Sequence, residues 1–175
     1  MAKPWKAAKP TQAEKNKAEA KAHKTIARNR RAKHDYFIED TLEAGLVLTG
    51  TEVKALRMAR ASLNEAWVEI FDGEAWLRQA NIPEYSQGTW NNHAPTRKRK
   101  LLMHRAEIIK FAQRAQAKGY TIVPLELYFI GGRAKLLIGL GKGKQEWDKR
   151  QALREAQDNR EAQRAMRAYT KRQVR

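Results

Sequence analysis

Alternating apolar and polar positions divide the middle of the chain into short extended runs separated by turn residues. His34-Asp35-Tyr36-Phe37-Ile38-Glu39-Asp40 begins as a strand, and Glu43-Ala44-Gly45-Leu46-Val47-Leu48 continues it past a glycine that suggests a bulge or bend. Gly50-Thr51-Glu52 then opens a helix, with Val53, Leu56 and Arg57 at helical spacing and Thr51 as the candidate N-cap. Two extended runs, Ala66–Phe71 and Glu74–Ile82, flank Asp72-Gly73, the strongest short hairpin signal in the sequence. Residues 83–100 read as a long loop that ends in the run Arg97-Lys98-Arg99-Lys100. Leu101 to Lys118 reads as an amphipathic helix with Ile108, Phe111, Ala112 and Ala115 on its inner side and Gly119 as its stop. A second hairpin, Tyr120–Ile130 with Ala134–Leu140, turns at Gly131-Gly132.

Five or six short strands and two helices fit a mainly β domain with flanking helices. A small closed barrel of OB type is the first expectation, because closure removes the sheet edges and the scaffold commonly binds RNA. A helix-packed open sheet is the alternative. The pattern weakens at both ends. Residues 1–24 are Lys- and Ala-rich with almost nothing large and apolar except Trp5, so they are expected to be a disordered basic leader. From residue 144 to 175 good helix formers prevail, but Leu153, Met166 and Tyr169 are too sparse for a core-facing stripe. That tail is expected to become helical on a partner, and the folded domain to span 25–143.

Charge sharpens this division. The chain of 175 residues has 36 Lys+Arg against 19 Asp+Glu, a net of +17. Residues 1–33 have 11 basic and 2 acidic side chains, and residues 142–175 have 11 and 5, while the long middle is close to neutral. A field carried by two arms points to a polyanion, with nucleic acid favoured over an anionic membrane. There is no cysteine, hence no disulfide framework and no thiolate metal site. With no secretory signal and no long apolar span, a cytoplasmic location is expected.

Catalysis finds little support. Ser62 and Ser86 lie in no nucleophile elbow, and His23, His34, His93 and His104 show no metal-ligand spacing. Gly-Leu-Gly-Lys-Gly-Lys at 139–144 lacks the P-loop pattern and reads instead as a flexible hinge into the tail, with Lys142 and Lys144 near phosphate. The expectation is a non-enzyme with neither cofactor nor metal. A metal-dependent RNA nuclease would need a carboxylate cluster that the sequence does not offer.

Several segments together resemble the bacterial small protein B family, which binds transfer-messenger RNA (tmRNA). They are Ile26–Ile38 (IARNRRAKHDYFI), Glu43-Ala44-Gly45-Leu46, Gly50–Leu56 with Arg57, Asp72-Gly73-Glu74-Ala75 and Arg99-Lys100-Leu101-Leu102. Gly119–Leu125 (GYTIVPL), Gly141-Lys142-Gly143-Lys144 and Asp148-Lys149-Arg150 complete the set, in order over roughly 24–160. The resemblance implies an OB-fold that binds tmRNA and delivers it to stalled ribosomes for trans-translation. It further implies a C-terminal tail that engages the small-subunit decoding centre and the empty mRNA channel.

By position, the resemblance assigns Glu43 and Leu102 to RNA contact on the barrel. His104 stands where some members have Asn, and Lys135 lies in a strand that carries a basic RNA contact in the family. Arg28, Arg30, Arg31 and His34 in the opening motif are further candidates, as are Arg97, Lys98, Arg99, Lys100, Lys142 and Lys144, cations suited to phosphate. Trp147, Asp148, Lys149, Arg150 and Arg154 are the candidate ribosome-binding residues of the tail; Trp147 departs from the His of some members, though an indole could still stack on a base. Among aromatics, Tyr128, Phe129, Trp67 and Trp76 are possible platforms but more ordinary as packing residues. The competing reading is a general ribosome-associated OB-fold protein or RNA chaperone. Nothing demands a dimer, and a monomer without membrane contact is expected.

Overall fold

The computed structural model describes residues 23–88 and 92–145, and beyond them 154, 157, 158, 160–164 and 166. Seven strands are joined in one antiparallel sheet: β1 (Lys24–Arg28), β2 (Tyr36–Leu46), β3 (Trp67–Phe71), β4 (Glu74–Arg78), β5 (Arg99–Leu102), β6 (Tyr120–Ile130) and β7 (Arg133–Gly143). Within residues 23–145 three helices accompany them where the chain is described, α1 (Arg30–Asp35), α2 (Gly50–Arg57) and α3 (Arg105–Ala115). The strand order is β1-β6-β3-β4-β5-β2-β7, with an additional β6–β7 pairing. The domain is therefore mainly β with a few helices, as the pattern predicts.

Both predicted hairpins form. Asp72 (φ 51) and Gly73 (φ 71) are left-handed, the twist that matches two antiparallel strands across a two-residue turn. Gly131 and Gly132, also at positive φ, join β6 to β7, which stay in register from Ile130↔Arg133 to Tyr120↔Lys142 apart from one shift at Pro124/Glu126. Pro124 has no N–H to give the ladder, and Asn29 uses the irregularity there. The Asn29 N–H donates to Leu125 O (2.8 Å) and its Nδ2 to Pro124 O (3.1 Å), while its Oδ1 accepts from Ala32 N–H (3.1 Å) to cap α1. One buried side chain thus starts a helix and ties it to the sheet.

Leu56, Leu63, Leu77, Leu101, Leu127, Leu136, Ile138 and Leu140 make the centre of the core, each at most 2 % exposed. At the β2 bulge between Ile38 and Asp40, the Asp40 carboxylate accepts from Lys110 Nζ (3.1 Å) and Arg114 Nη1 (2.8 Å). Glu39 accepts from the Tyr120 hydroxyl (2.6 Å) and Arg114 Nη2 (3.2 Å). Together these pin α3 against β2, with Phe111 and Ile108 buried beneath the helix.

Local pattern misplaced several elements. His34 and Asp35 end α1, so β2 begins only at Tyr36. The cap of α2 is Thr49, not Thr51: the Thr49 N–H donates to the Glu52 carboxylate at 2.7 Å. Residues 99–102, split in the sequence reading between a loop and a helix, are β5, and α3 starts at Arg105. The glycines expected to form a hinge belong to β7. A Cβ on Gly141 would stand 2.9 Å from the Tyr36 Cβ, so glycine there permits close strand packing.

The four-cation reading of 97–100 fails at Arg99. Its side chain is wholly buried and points into the protein: Nε donates to Glu52 Oε1 (2.8 Å), Nη1 to Ala80 O (2.7 Å) and Arg97 O (3.1 Å), and Nη2 to Pro95 O (2.9 Å). Arg97 closes on the same carboxylate in a fork, Nε to Oε1 (2.7 Å) and Nη2 to Oε2 (2.5 Å). Burial pushes the Glu52 carboxyl up, but the Arg97 hydrogen bonds, the Thr49 N–H and Arg99 outweigh it and hold the group at about 2. Arg99 is a structural cation that fastens α2 to β5, not an RNA contact.

Candidate nucleic-acid interface

The remaining predicted residues fall into two groups on β2 and its neighbours. At the C-terminal end of β2, Gly45 stands opposite Leu102 of β5 on one side and Lys135 of β7 on the other. Glu43 points to the outer face, where its carboxylate accepts from Lys135 Nζ (2.6 Å) and from the Tyr128 hydroxyl of β6. The Lys135 and Tyr128 hydrogen bonds hold the Glu43 carboxyl below its ordinary value; burial and the Glu43 bond push the Tyr128 phenol up. Glu43 is thus an anion with both oxygens engaged, and Lys135 a cation held at a fixed place beside it.

Leu102 is 55 % exposed, although its strand neighbour Leu101 is in the core. It lies across Gly45, where an added Cβ would come within 3.2 Å of the Leu102 Cβ. An open cleft of about 490 Å³ runs along this edge, lined by Gly45, Leu46, Leu48, Leu102, Phe129 and Lys135. His104, exposed, caps α3 two residues beyond Leu102, and its backbone N–H donates to Glu107 Oε2 (2.9 Å). The arrangement offers a cation, a carboxylate and an apolar shelf side by side, which suits a nucleic acid presenting both phosphate and an unstacked base.

The sequence reading did not anticipate Tyr128 as Glu43's partner, nor the stack of His23 on the Tyr128 ring (centroids 4.3 Å apart). The signal available was the alternation of β6, which puts Tyr128 and Glu126 on one face. Tyr128 and Phe129 are otherwise buried, so neither ring is an open platform.

The second group surrounds α1, about 20 Å away along β2 if six residues from Phe37 to Glu43 rise about 3.3 Å each. Arg30 and Arg31 are exposed, and among the described residues neither side chain has a hydrogen bond or ion pair. Arg28 pairs with Glu126 (3.2 Å), and His34 Nδ1 lies 2.9 Å from Asp35 Oδ1. Arg31, Tyr36, Asn64 and half-exposed Trp67 line a cleft of about 460 Å³. Lys142 is exposed on β7 opposite Phe37, while the Lys144 ammonium is already engaged with Lys33 O (2.9 Å).

On β5 and the segment before it, Lys98 Nζ lies 5.2 Å from the centre of the Trp76 ring and Lys100 is paired with Glu74, so both remain at the surface with local partners. Of the tail, Arg154 is helical and exposed, and Trp147, Asp148, Lys149 and Arg150 lie outside the described residues. No helix among the described residues is long and apolar enough to cross a membrane, and no three His, Cys, Asp or Glu side chains there are grouped to hold a metal.

The model of the SmpB protein family matches residues 26–168, which takes in both groups. The chain belongs to the SmpB family. Among curated relatives, the SsrA-binding protein of Leifsonia xyli is 64 % identical over 149 residues, covering 85 % of this chain and 94 % of its own. The SsrA-binding protein of Bifidobacterium adolescentis is 63 % identical over 159 residues, covering 90 % and 99 %. A chain of the solved structure described as "tmRNA-SmpB: a journey to the center of the bacterial ribosome" superposes with a TM-score of 0.60 at 43 % identity, covering 73 % of this chain and 93 % of that one. The family match takes in most of the sheet, the three helices and part of the C-terminal segment.

Proposed function

We propose that this protein binds tmRNA through its β domain and delivers it to stalled ribosomes for trans-translation, as a non-enzymatic cytoplasmic factor without metal or cofactor. The observation that carries the reading is the fixed Glu43–Lys135 pair beside exposed Leu102, within a chain of the SmpB family. Leu102 is not isolated: with Leu46, Leu48 and Phe129 it lines one cleft beside Lys135, and a contiguous apolar shelf next to fixed charges suits a ligand that stacks and pairs there.

A closed, OB-type barrel is the reading that the pairings β6–β3–β4–β5–β2–β7, with the additional β6–β7 pairing, support. In this reading residues 25–143 are the RNA-binding domain. Glu43, Leu102, His104 and Lys135 meet the RNA at one end of β2. Arg28, Arg30, Arg31, His34 and Lys142 add a cationic surface at the other, with Arg97, Lys98 and Lys100 contributing peripheral charge. The basic tail, through Trp147, Asp148, Lys149, Arg150 and Arg154, enters the decoding centre and mRNA channel as a helix. The protein acts as a monomer.

The test is to purify the protein from its own cells and sequence the RNA that accompanies it. One dominant species with a tRNA-like end and an internal reading frame is expected. A broad mixture of ribosomal and messenger RNA would reject the reading in favour of a general ribosome-associated protein.

A further inference from the structure

β7 does not end in open solvent. The Gly143 N–H donates to Gly119 O (3.1 Å), and the Lys144 N–H to Asp35 O (2.9 Å). The Lys144 side chain then turns back, with Nζ donating to Lys33 O (2.9 Å) and lying 4.6 Å from the centre of the Phe37 ring. Lys33 and Asp35 are in the last turn of α1, where carbonyls lack helical partners and a cation is favoured. Phe37, 49 % exposed, would be an unexplained apolar side chain on the outer face of β2; as the platform for this ammonium it has a use.

Two consecutive residues therefore tie the end of the sheet to three places: the turn before β6, the end of α1 and the start of β2. The Lys144 ammonium is satisfied within the protein by a carbonyl and a ring. Lys142, two residues earlier, is exposed and has no such partner among the described residues. The two lysines of one short motif are thus doing different things.

We propose that Lys144 is a positioning residue: it clamps the root of the C-terminal segment against α1 and Phe37, and so sets the direction in which that segment leaves the domain. The inference rests on the rescue-factor reading for its functional consequence, but the clamp itself can be measured without it. A tail aimed by its root reaches its site from a narrow set of orientations, whereas a freely swivelling one must search.

The test uses the full chain with Lys144→Met, which keeps length and removes the charge, and Lys144→Arg, which keeps both charge and donors. With Lys144→Met, tmRNA affinity stays within twofold of wild type, tagging on stalled ribosomes falls at least fivefold, and Lys144→Arg recovers most of the loss. In the free protein, the backbone order parameter of Gln145 falls from about 0.85 to below about 0.6 in Lys144→Met. Phe37→Leu, which leaves the lysine intact, shifts tagging and order in the same direction by less. A parallel loss of tmRNA affinity would make Lys144 an RNA ligand and overturn the proposal; so would unchanged tagging, or unchanged order at Gln145. If the wild-type protein itself fails to tag, the rescue reading falls, and the Gln145 order parameter still decides the clamp.

Discussion

Replacing Glu52 by Gln removes the anion on which Arg97, Arg99 and the Thr49 N–H converge. In the folded protein the Glu52 carboxyl sits at about 2 against an ordinary value of 4.5. At 1.36 kcal/mol per pH unit that difference is equivalent to roughly 3 kcal/mol of stability carried by the ionised group. Because the folded value is the lower one, the contribution is fully present well above pH 4.5 and is lost as the pH falls toward 2; about 2 kcal/mol of it is gone by pH 3. An estimate from another direction agrees: removing one partner of a buried ion pair typically costs about 3–5 kcal/mol, since the other charge stays buried. Urea unfolding of wild type and Glu52→Gln, followed by tryptophan fluorescence at pH 7, 5, 4 and 3, measures it. With an m value of about 1.5 kcal/mol/M the midpoints should differ by roughly 2 M at pH 7, and by less than half of that at pH 3. A difference below ~1 kcal/mol at pH 7 would refute the reasoning, as would one that does not change between pH 5 and 3.

Three further outcomes follow from the geometry. Gly141→Val should cost about 1–3 kcal/mol, because its Cβ would meet the Tyr36 Cβ at 2.9 Å and that atom is fixed to the β2 backbone; a melting temperature within a degree of wild type would contradict this. Glu43→Ala should weaken tmRNA binding at least tenfold while unfolding free energy changes by less than ~1 kcal/mol, as expected for a half-exposed pair; unchanged affinity in a filter-binding titration would remove Glu43 from the interface. Truncation after Gln145 leaves β7 whole, and should preserve tmRNA affinity while abolishing tagging; normal tagging by the truncated chain would sink the assignment of the tail.

What the sequence concealed has a physical pattern. Asp72-Gly73 and Gly131-Gly132 were legible because each turn needs positive φ, which few residues supply cheaply. β5 was not legible, because a four-residue strand that buries an arginine shows no apolar alternation, and its charge resembles a surface run. Only the three-dimensional meeting of Arg99 with Glu52, 47 positions away, makes that burial affordable. The extension of β7 past Leu140 was hidden for the opposite reason: Gly141, which admits close packing against Tyr36, looks locally like freedom. At the interface, Glu43, Leu102 and Lys135 were nominated by family resemblance, and Tyr128, which holds Glu43, appeared only once β6 lay beside β7.

The pairing scheme also constrains the protein's own synthesis. β2 takes β7 as its partner almost along its whole length, from Tyr36↔Gly143 to Gly45↔Lys135, and β1 takes β6. The first strands made are therefore completed by the last, and every such contact closes a loop of about a hundred residues. Until β6 has emerged β1 has no partner, until β7 has emerged β2 pairs only with β5 at Gly45 and Leu46, and until then the core around Leu136, Ile138 and Leu140 does not exist. The nascent chain must carry open strand edges through most of its translation, and folding should begin late and in one step. Residues 144–175 are made after the last strand, so the ribosome still holds part of the chain while the sheet closes outside.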